Sequence, residues 1–364
     1  DSCETVPNDE YYYDQWGLHR INASKAWDTF TGNPDIVVGV IDSGTDYTHP
    51  DLADNIWVNT GEIPDNGIDD DQDGYIDDVI GWNFFKNTND PMDNEYHGTH
   101  VSGIIAARGN NEIGISGIAW NTKIAPLNAG AGNNEISSAS VIKALAYATF
   151  HGFDIINASF GGSVYAGGTK TAIDRYPGLF VAGAGNQGTD NDIHPFYPAS
   201  YDCSNIISVA NMNVHSTLNY DASYGAVSVD IAAPGTDIVS TFPGNDYSPL
   251  SGASMATPFV SGAAALLKGY NTSLSTAELK EKILSSVQSF DDADKVSSGG
   301  CLDLANLLTP SNGTANDGIL DAGKDEWWTT SIEWNQYSGI DENEPYMQPV
   351  SYTHLRAHET ELHL

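Results

Sequence analysis

The sequence predicts an α/β protein built on a parallel β-sheet with helices on both faces. Two observations carry this. Short β-branched runs are apolar at consecutive positions, the mark of strands buried on both sides. Between them lie longer segments of helical periodicity, and strands alternating with helices imply parallel pairing through crossovers. Residues 35–41 (DIVVGVI) form the first run, and similar ones recur at 154–158 (DIINA), 179–182 (LFVA), 205–210 (NIISVA) and 227–232 (VSVDIA). Helical patterns cover 97–107, 137–151 and 254–268. A further helix is expected over 275–288, where Ser275 caps TAELKEKILSSVQ and Glu278 sits at the capping-box position.

The chain of 364 residues can bury one large core, or a core with a small appendage. Its 49 acidic against 14 basic residues give a net charge of −35, a field that repels nucleic acid and anionic membranes and argues against both as partners. No apolar run approaches the roughly 20 residues that span a bilayer. The first residues, DSCETVPNDE, have neither the basic nor the apolar stretch of a signal peptide. If the protein is exported, its signal and any pro-segment are expected to be already gone from this chain. Cys3, Cys203 and Cys301 are far apart with no CxxC spacing, which disfavours a zinc or redox motif. One disulfide plus a free thiol and three reduced thiols both remain open.

Residues 1–309 read as one domain, interrupted by an acidic insertion at about 59–90. From 310 to 349 the chain turns polar and rich in Gly, Asn and Asp, the composition of an acidic linker or the start of an accessory segment. The tail 350–364, VSYTHLRAHETELHL, matches nothing before it. It reads as non-native to the folded unit, such as a sequencing or cloning artefact leaves, and is set aside from the functional argument.

Three segments carry chemistry. In VVGVIDSGTDYTHPDL (37–52), Asp42 ends a buried strand, and open parallel sheets gather functional groups at that edge. In HGTHVSGIIAA (97–107), His97 opens a helix; in SGASMATPFVSGAAALL (251–267), Ser254 stands at the start of another, with Pro258 expected in its first turn. Taken singly, each has a plain structural explanation: a turn residue, an exposed imidazole, an N-cap. His97 and His100, at i and i+3, also suggest a metal pair, but a zincin needs Glu directly after the first His and Gly98 stands there.

Together, DSG, HGTHVSG and SGASMATP in this order resemble the three signatures of the subtilisin-like serine proteases, over roughly residues 8–308. The resemblance implies a subtilisin-like three-layer architecture and a secreted serine endopeptidase. Ser254 would be its nucleophile, His97 the general base and acid, and Asp42 the residue that orients the imidazole. Asn186 in VAGAGNQG matches the side-chain donor of the oxyanion hole, paired with the Ser254 amide. His100 is expected to be a packed structural residue. The usual Thr before the nucleophile is replaced by Ala253.

Substrate binding follows the same likeness. Gly130, Ala131 and Gly132, with Ser159, Phe160 and Gly161, match two segments that clasp an extended peptide as an added strand. Gly183, Ala184 and Gly185 match the far wall of the primary pocket. Phe196 falls near its floor, either shortening the pocket or pointing into the core. Expected partners are protein or peptide substrates and a pro-segment before maturation, and the expected state is a monomer.

Calcium is the expected cofactor. In the insertion, Asp69, Asp71 and Asp73 alternate before Gly74, the opening of a calcium loop in which the Tyr75 carbonyl follows. Position 12 of such a loop is Ile80, so Asp77 or Asp78 would have to close the shell. Eight carboxylates in residues 59–78, with no Lys or Arg, would repel strongly without a cation; a solvated acidic loop is the alternative. The family likeness implies a second calcium site from Asp9, Asp51 and Asn111 with the carbonyls of Arg108, Ile113 and Ile115. Two other functions stay open: a transpeptidase or peptide cyclase, separable by the products formed, and an inactive calcium-dependent binding module, separable by active-site labelling.

Overall fold

A computed structural model describes residues 4–309 and the backbone of 346–349. Cys3, residues 310–345 and the tail 350–364 lie outside the described residues. The strands are β1 (Val37–Asp42), β2 (Trp82–Asn83), β3 (Lys123–Asn128), β4 (Gly130–Gly132), β5 (Glu135–Ser137), β6 (Ile155–Ala158), β7 (Phe160–Gly161), β8 (Leu179–Gly183), β9 (Ile206–Met212), β10 (Ile231–Pro234), β11 (Ile238–Phe242), β12 (Asp246–Leu250) and β13 (Tyr346–Pro349). The helices are α1 (Trp16–Arg20), α2 (Ala23–Trp27), α3 (His97–Ala106), α4 (Ser138–Phe150), α5 (Gly167–Arg175), α6 (Ala253–Tyr270), α7 (Thr276–Ser285) and α8 (Leu304–Leu308).

Seven parallel strands form the central sheet in the order β10-β9-β8-β6-β1-β3-β2. Side chains alternate across it, so each strand feeds two cores. Val38, Val40, Ile155, Val181 and Ile207 meet α3 and α6 on one face. Ile41, Ile156, Ala158, Phe180 and Leu127 meet α4 and α5 on the other. This is the three-layer arrangement expected from the consecutive apolar runs. The chain steps from β1 out to β2 and β3, then crosses back over β1 to β6. That reversal opens a crevice at the carboxyl ends of β1 and β6, where Asp42 and Ser159 lie.

Three local readings change. The run at 227–232 does not pair from its start: Val227 is exposed, and its amide and that of Ser228 donate to the Asp192 carboxylate, so β10 begins only at Ile231. β3 went unseen because Pro126 interrupts its apolar run. The Pro126 carbonyl faces Gly81, on the side where β2 pairs only from Leu127 onward, so the missing N–H breaks no bond to β1. Pro258 is the sixth residue of α6, beyond the first turn. It therefore leaves the Ser254 carbonyl without a helical donor, and the Ser159 hydroxyl donates to it instead at 2.9 Å. The capping box at Ser275 and Glu278 is present.

Candidate active site and metal centres

Asp42 ends β1 beside Asn128 of β3, and its carboxylate accepts from His97 Nδ1 at 2.7 and 2.9 Å. With that nitrogen committed as donor, Nε2 is the basic atom, and it has no hydrogen-bond partner although buried. Burial opposes the imidazole's charge, but the charge and hydrogen bond of Asp42, helped by Asp93 and Glu95, outweigh it and raise the His97 pKa above its ordinary value. His100 behaves otherwise. Its Nε2 lies 2.9 Å from the Ser248 carbonyl, and burial pushes its pKa down to about 3, so it stays neutral.

Ser254 is the second residue of α6, where amides have no carbonyl one turn earlier to bond. Its hydroxyl donates to the Ser159 carbonyl at 2.9 Å, reciprocating the bond from Ser159 Oγ to the Ser254 carbonyl. The nucleophile candidate is thus parked on Ser159, the residue just before β7, and not on the imidazole. Asn186 Oδ1 accepts the Ala253 amide at 2.8 Å, which orients the side chain with Nδ2 as its donor end.

A buried brace holds the DSG and HGTH segments together. The Gly98 amide donates to Ser43 Oγ, which donates to Asp93 Oδ1, while Asp93 Oδ2 accepts from the Thr99 amide and hydroxyl. Burial raises the pKa of Asp93. Gly98 is required by proximity, since a Cβ there would run into the Gly44 carbonyl. Sequence reasoning missed Asp93: four residues before His97 in a polar stretch, nothing distinguished it from the many other aspartates.

The proposed peptide-binding segments line the same crevice. β4 holds Gly130–Gly132, and β7 follows Ser159. Phe196 is buried against Ala253 and borders both Gly161 and Gly185, so it stands between the two segments expected to bind substrate and not in either main core. Ala253, where the family has Thr, supplies the apolar surface for that contact.

The acidic insertion converges, but not wholly on the residues its sequence suggested. Carboxylate oxygens of Glu62, Asp71 and Asp78 lie within 4.8 Å of one another, and Asp71 and Asp73 make a second such group with His151. Glu62 and Asp78 are buried, and burial pushes the Asp78 carboxyl up to about 7. Asn59 Nδ2 and the Tyr147 hydroxyl donate to Asp78. Asp77 accepts from the Asn66 and Gly67 amides, and Asp69 from those of Asp73 and Gly74; neither lies within these two groups. Gly74 has φ +98°, as the loop's sharp turn requires. Tyr75 stacks edge-on against Trp82 and Tyr147, which pins the loop to the sheet. Glu62 and His151 carried no signal, being outside the DxDxDG spacing. Such a set of hard oxygen donors without a cationic side chain fits calcium.

At the second expected site, Asp51 accepts from Asn111 Nδ2 and the Ile115 amide, and Asp9 from the Asn110 and Asn111 amides. The Arg108 amide donates to the Asp51 carbonyl. Burial raises Asp9 and pushes Asp51 up to about 6. Cys203 and Cys301 are buried free thiols, so no bridge joins these two.

A buried carboxylate–imidazole pair and a serine at the start of the helix packed against it, at the carboxyl edge of a parallel sheet, are compatible with a nucleophile-and-base site. The chain belongs to the subtilase family, whose model matches residues 33–315. It is 36% identical to subtilisin-like protease 1 of Plasmodium vivax over 82% of this chain and 51% of that protein. It is 34% identical to thermitase of Thermoactinomyces vulgaris over 81% of this chain and 94% of that one. A solved protease structure from Pseudoalteromonas arctica superposes with TM-score 0.65 and 27% identity, covering 84% of this chain and 99% of that one. The chain spans about half the length of the Plasmodium relatives it matches.

Proposed function

We propose that this protein is a secreted, calcium-stabilised serine endopeptidase. The observation that carries the reading is the buried Asp42–His97 pair with a bare Nε2, on a helix packed against the one that Ser254 leads. In this reading Ser254 Oγ leaves the Ser159 carbonyl and donates to Nε2. His97 then accepts the hydroxyl proton as Oγ attacks the scissile carbonyl, and Asp42 stabilises the imidazolium. The oxyanion takes hydrogen bonds from Asn186 Nδ2 and the Ser254 amide. His97 returns its proton to the leaving amine, and water, deprotonated by the same imidazole, releases the acyl group.

Glu62, Asp71, Asp73 and Asp78 would hold calcium in the insertion, with Asp9, Asp51 and Asn111 holding a second ion. Bound there, calcium supplies positive charge that relieves carboxylate repulsion and ties loops to the sheet. Among the described residues no helix is long and apolar enough to cross a membrane, and the acidic surface suits a solvated exported enzyme. Monomer is the default state.

The test is a fluorophosphonate added to calcium-replete protein, followed by peptide mapping. We expect a single adduct on Ser254, and an unmodified Ser254 would overturn the reading. Mass spectra of a defined peptide's products distinguish hydrolysis, which adds one water per cut, from transfer to an amine.

A further inference from the structure

β13 pairs with β7, one of the two segments expected to bind an extended substrate. It is inserted between β5 and β7, antiparallel to both, in a four-stranded sheet ordered β4-β5-β13-β7. Tyr346 and Met347 pair with Ser137 and Ile136, and Gln348 and Pro349 with Gly161 and Phe160. β7 is one of the two backbone segments assigned above to clasping an extended peptide; the other, β4, pairs with β5 and not with β13. The direction matters as much as the place. As β13 runs from Gln348 to Pro349, its partner in β7 runs from Gly161 to Phe160, and the next residue back is Ser159, whose carbonyl holds the Ser254 hydroxyl. The segment therefore approaches the nucleophile with its carboxyl end, the polarity of the acyl half of a peptide about to be cut.

The site around it is closed. Ser254 is 0% and His97 1% exposed, whereas an endopeptidase must admit a polypeptide to both. Main-chain pairing of this kind is largely indifferent to side chains, so a tethered segment competes with any substrate for the same amides and carbonyls.

We propose that Tyr346–Pro349 is an intramolecular occupant of the acyl side of the cleft, which weakens binding of extended peptides until it is displaced. This rests on the endopeptidase reading. A tethered ligand acts at a roughly millimolar effective concentration, so a segment of similar intrinsic affinity raises KM severalfold and leaves kcat unchanged.

The test compares the full chain with the double variant Met347→Pro, Gln348→Pro, which removes two backbone donors from the strand. For a peptide with four residues before the scissile bond, the variant's KM should fall about three- to tenfold at constant kcat. For a small ester occupying only the position beside Ser254, KM should not change. Acetyl-Tyr-Met-Gln-Pro-amide added to the variant should inhibit competitively. Equal KM for the peptide in both proteins overturns the proposal. If neither protein turns over any peptide, the endopeptidase reading fails instead, and hydrogen exchange decides the pairing. Segments 135–137 and 160–161 should then exchange at least tenfold faster in the variant, and equal rates would refute the inserted strand.

Discussion

The crevice at Asp42 and the acidic insertion are both crowded with buried polar groups, yet they are stabilised in opposite ways. At the crevice every carboxylate finds a donor within the chain: Asp42 has His97 and the Ser43 amide, and Asp93 has Ser43, Thr99 and Glu95. In the insertion Glu62, Asp71, Asp73 and Asp78 also accept hydrogen bonds from the chain, but they crowd together with one imidazole and no Lys or Arg to offset their charge. The first arrangement is complete without any added ion. The second leaves charge for an outside partner. Removing a group at the crevice should thus change rate at nearly constant stability, whereas removing calcium should change stability at nearly constant rate.

The largest effects test the first half of that contrast. Ser254→Ala should lower kcat about 10⁶-fold and Asp42→Asn about 10⁴-fold, the scale of such losses in subtilisin and trypsin-like enzymes. The melting temperature of Ser254→Ala should stay within a degree or two of the parent's. Residual hydrolysis near the parental rate would mean that the nucleophile is elsewhere. Asn186→Ala should cost about 10²–10³ in kcat with KM little changed, because its donor is used chiefly in the transition state. It should also unfold slightly earlier, since Asn186 Oδ1 holds the Ala253 amide. A variant that lost KM and kept kcat would assign Asn186 to substrate binding.

How far the sequence disclosed all this follows from the range of the interactions. Asp42, His97, Ser254 and Asn186 were visible because each sits in a long motif whose neighbours are constrained too. The glycine of HGTH is there because no Cβ fits against Gly44. The sheet was visible because consecutive apolar residues have few other uses. Asp93, Glu62 and His151 were not, because each reaches its partners through tertiary folding, across 50, 16 and 78 residues to Ser43, Asp78 and Asp73. β13 was hidden for a related reason: its pairing is made by backbone groups, which its sequence within a polar segment does not advertise.

Chelation tests the second half of the contrast. Calcium at 100 times its Kd stabilises the folded state by about 2.7 kcal/mol per site, so EDTA should lower the melting temperature by several degrees and hasten self-digestion. Initial rates measured cold should barely change. The structure sharpens this further. Glu62→Gln should weaken calcium binding in a calorimetric titration, whereas Asp77→Asn should not, because Glu62 lies within a converging carboxylate group with Asp71 and Asp78 and Asp77 does not. A melting curve indifferent to EDTA would refute the calcium assignment, and the reverse order of the two variants would refute this choice of ligands.

The smallest expected effect is the one most specific to the crevice. Catalysis needs neutral His97, so kcat/KM must fall as pH drops through its pKa, and in the free enzyme that profile reports this group directly. Burial alone would move the midpoint below the ordinary imidazole value of about 6.5. Asp42, with Asp93 and Glu95, reverses that and sets it higher. The acid limb should therefore lie above 6.5, and in the residual activity of Asp42→Asn it should move down, since the principal opposing charge is gone. Stability carries the opposite sign. A histidine whose folded pKa is raised contributes stabilisation that is complete below its unfolded pKa and disappears as pH climbs through the folded one. Between those two values the enzyme gives up stability as it gains activity. An acid limb at or below 6.5, or one that does not respond to Asp42→Asn, would show that burial and not the carboxylate governs the base.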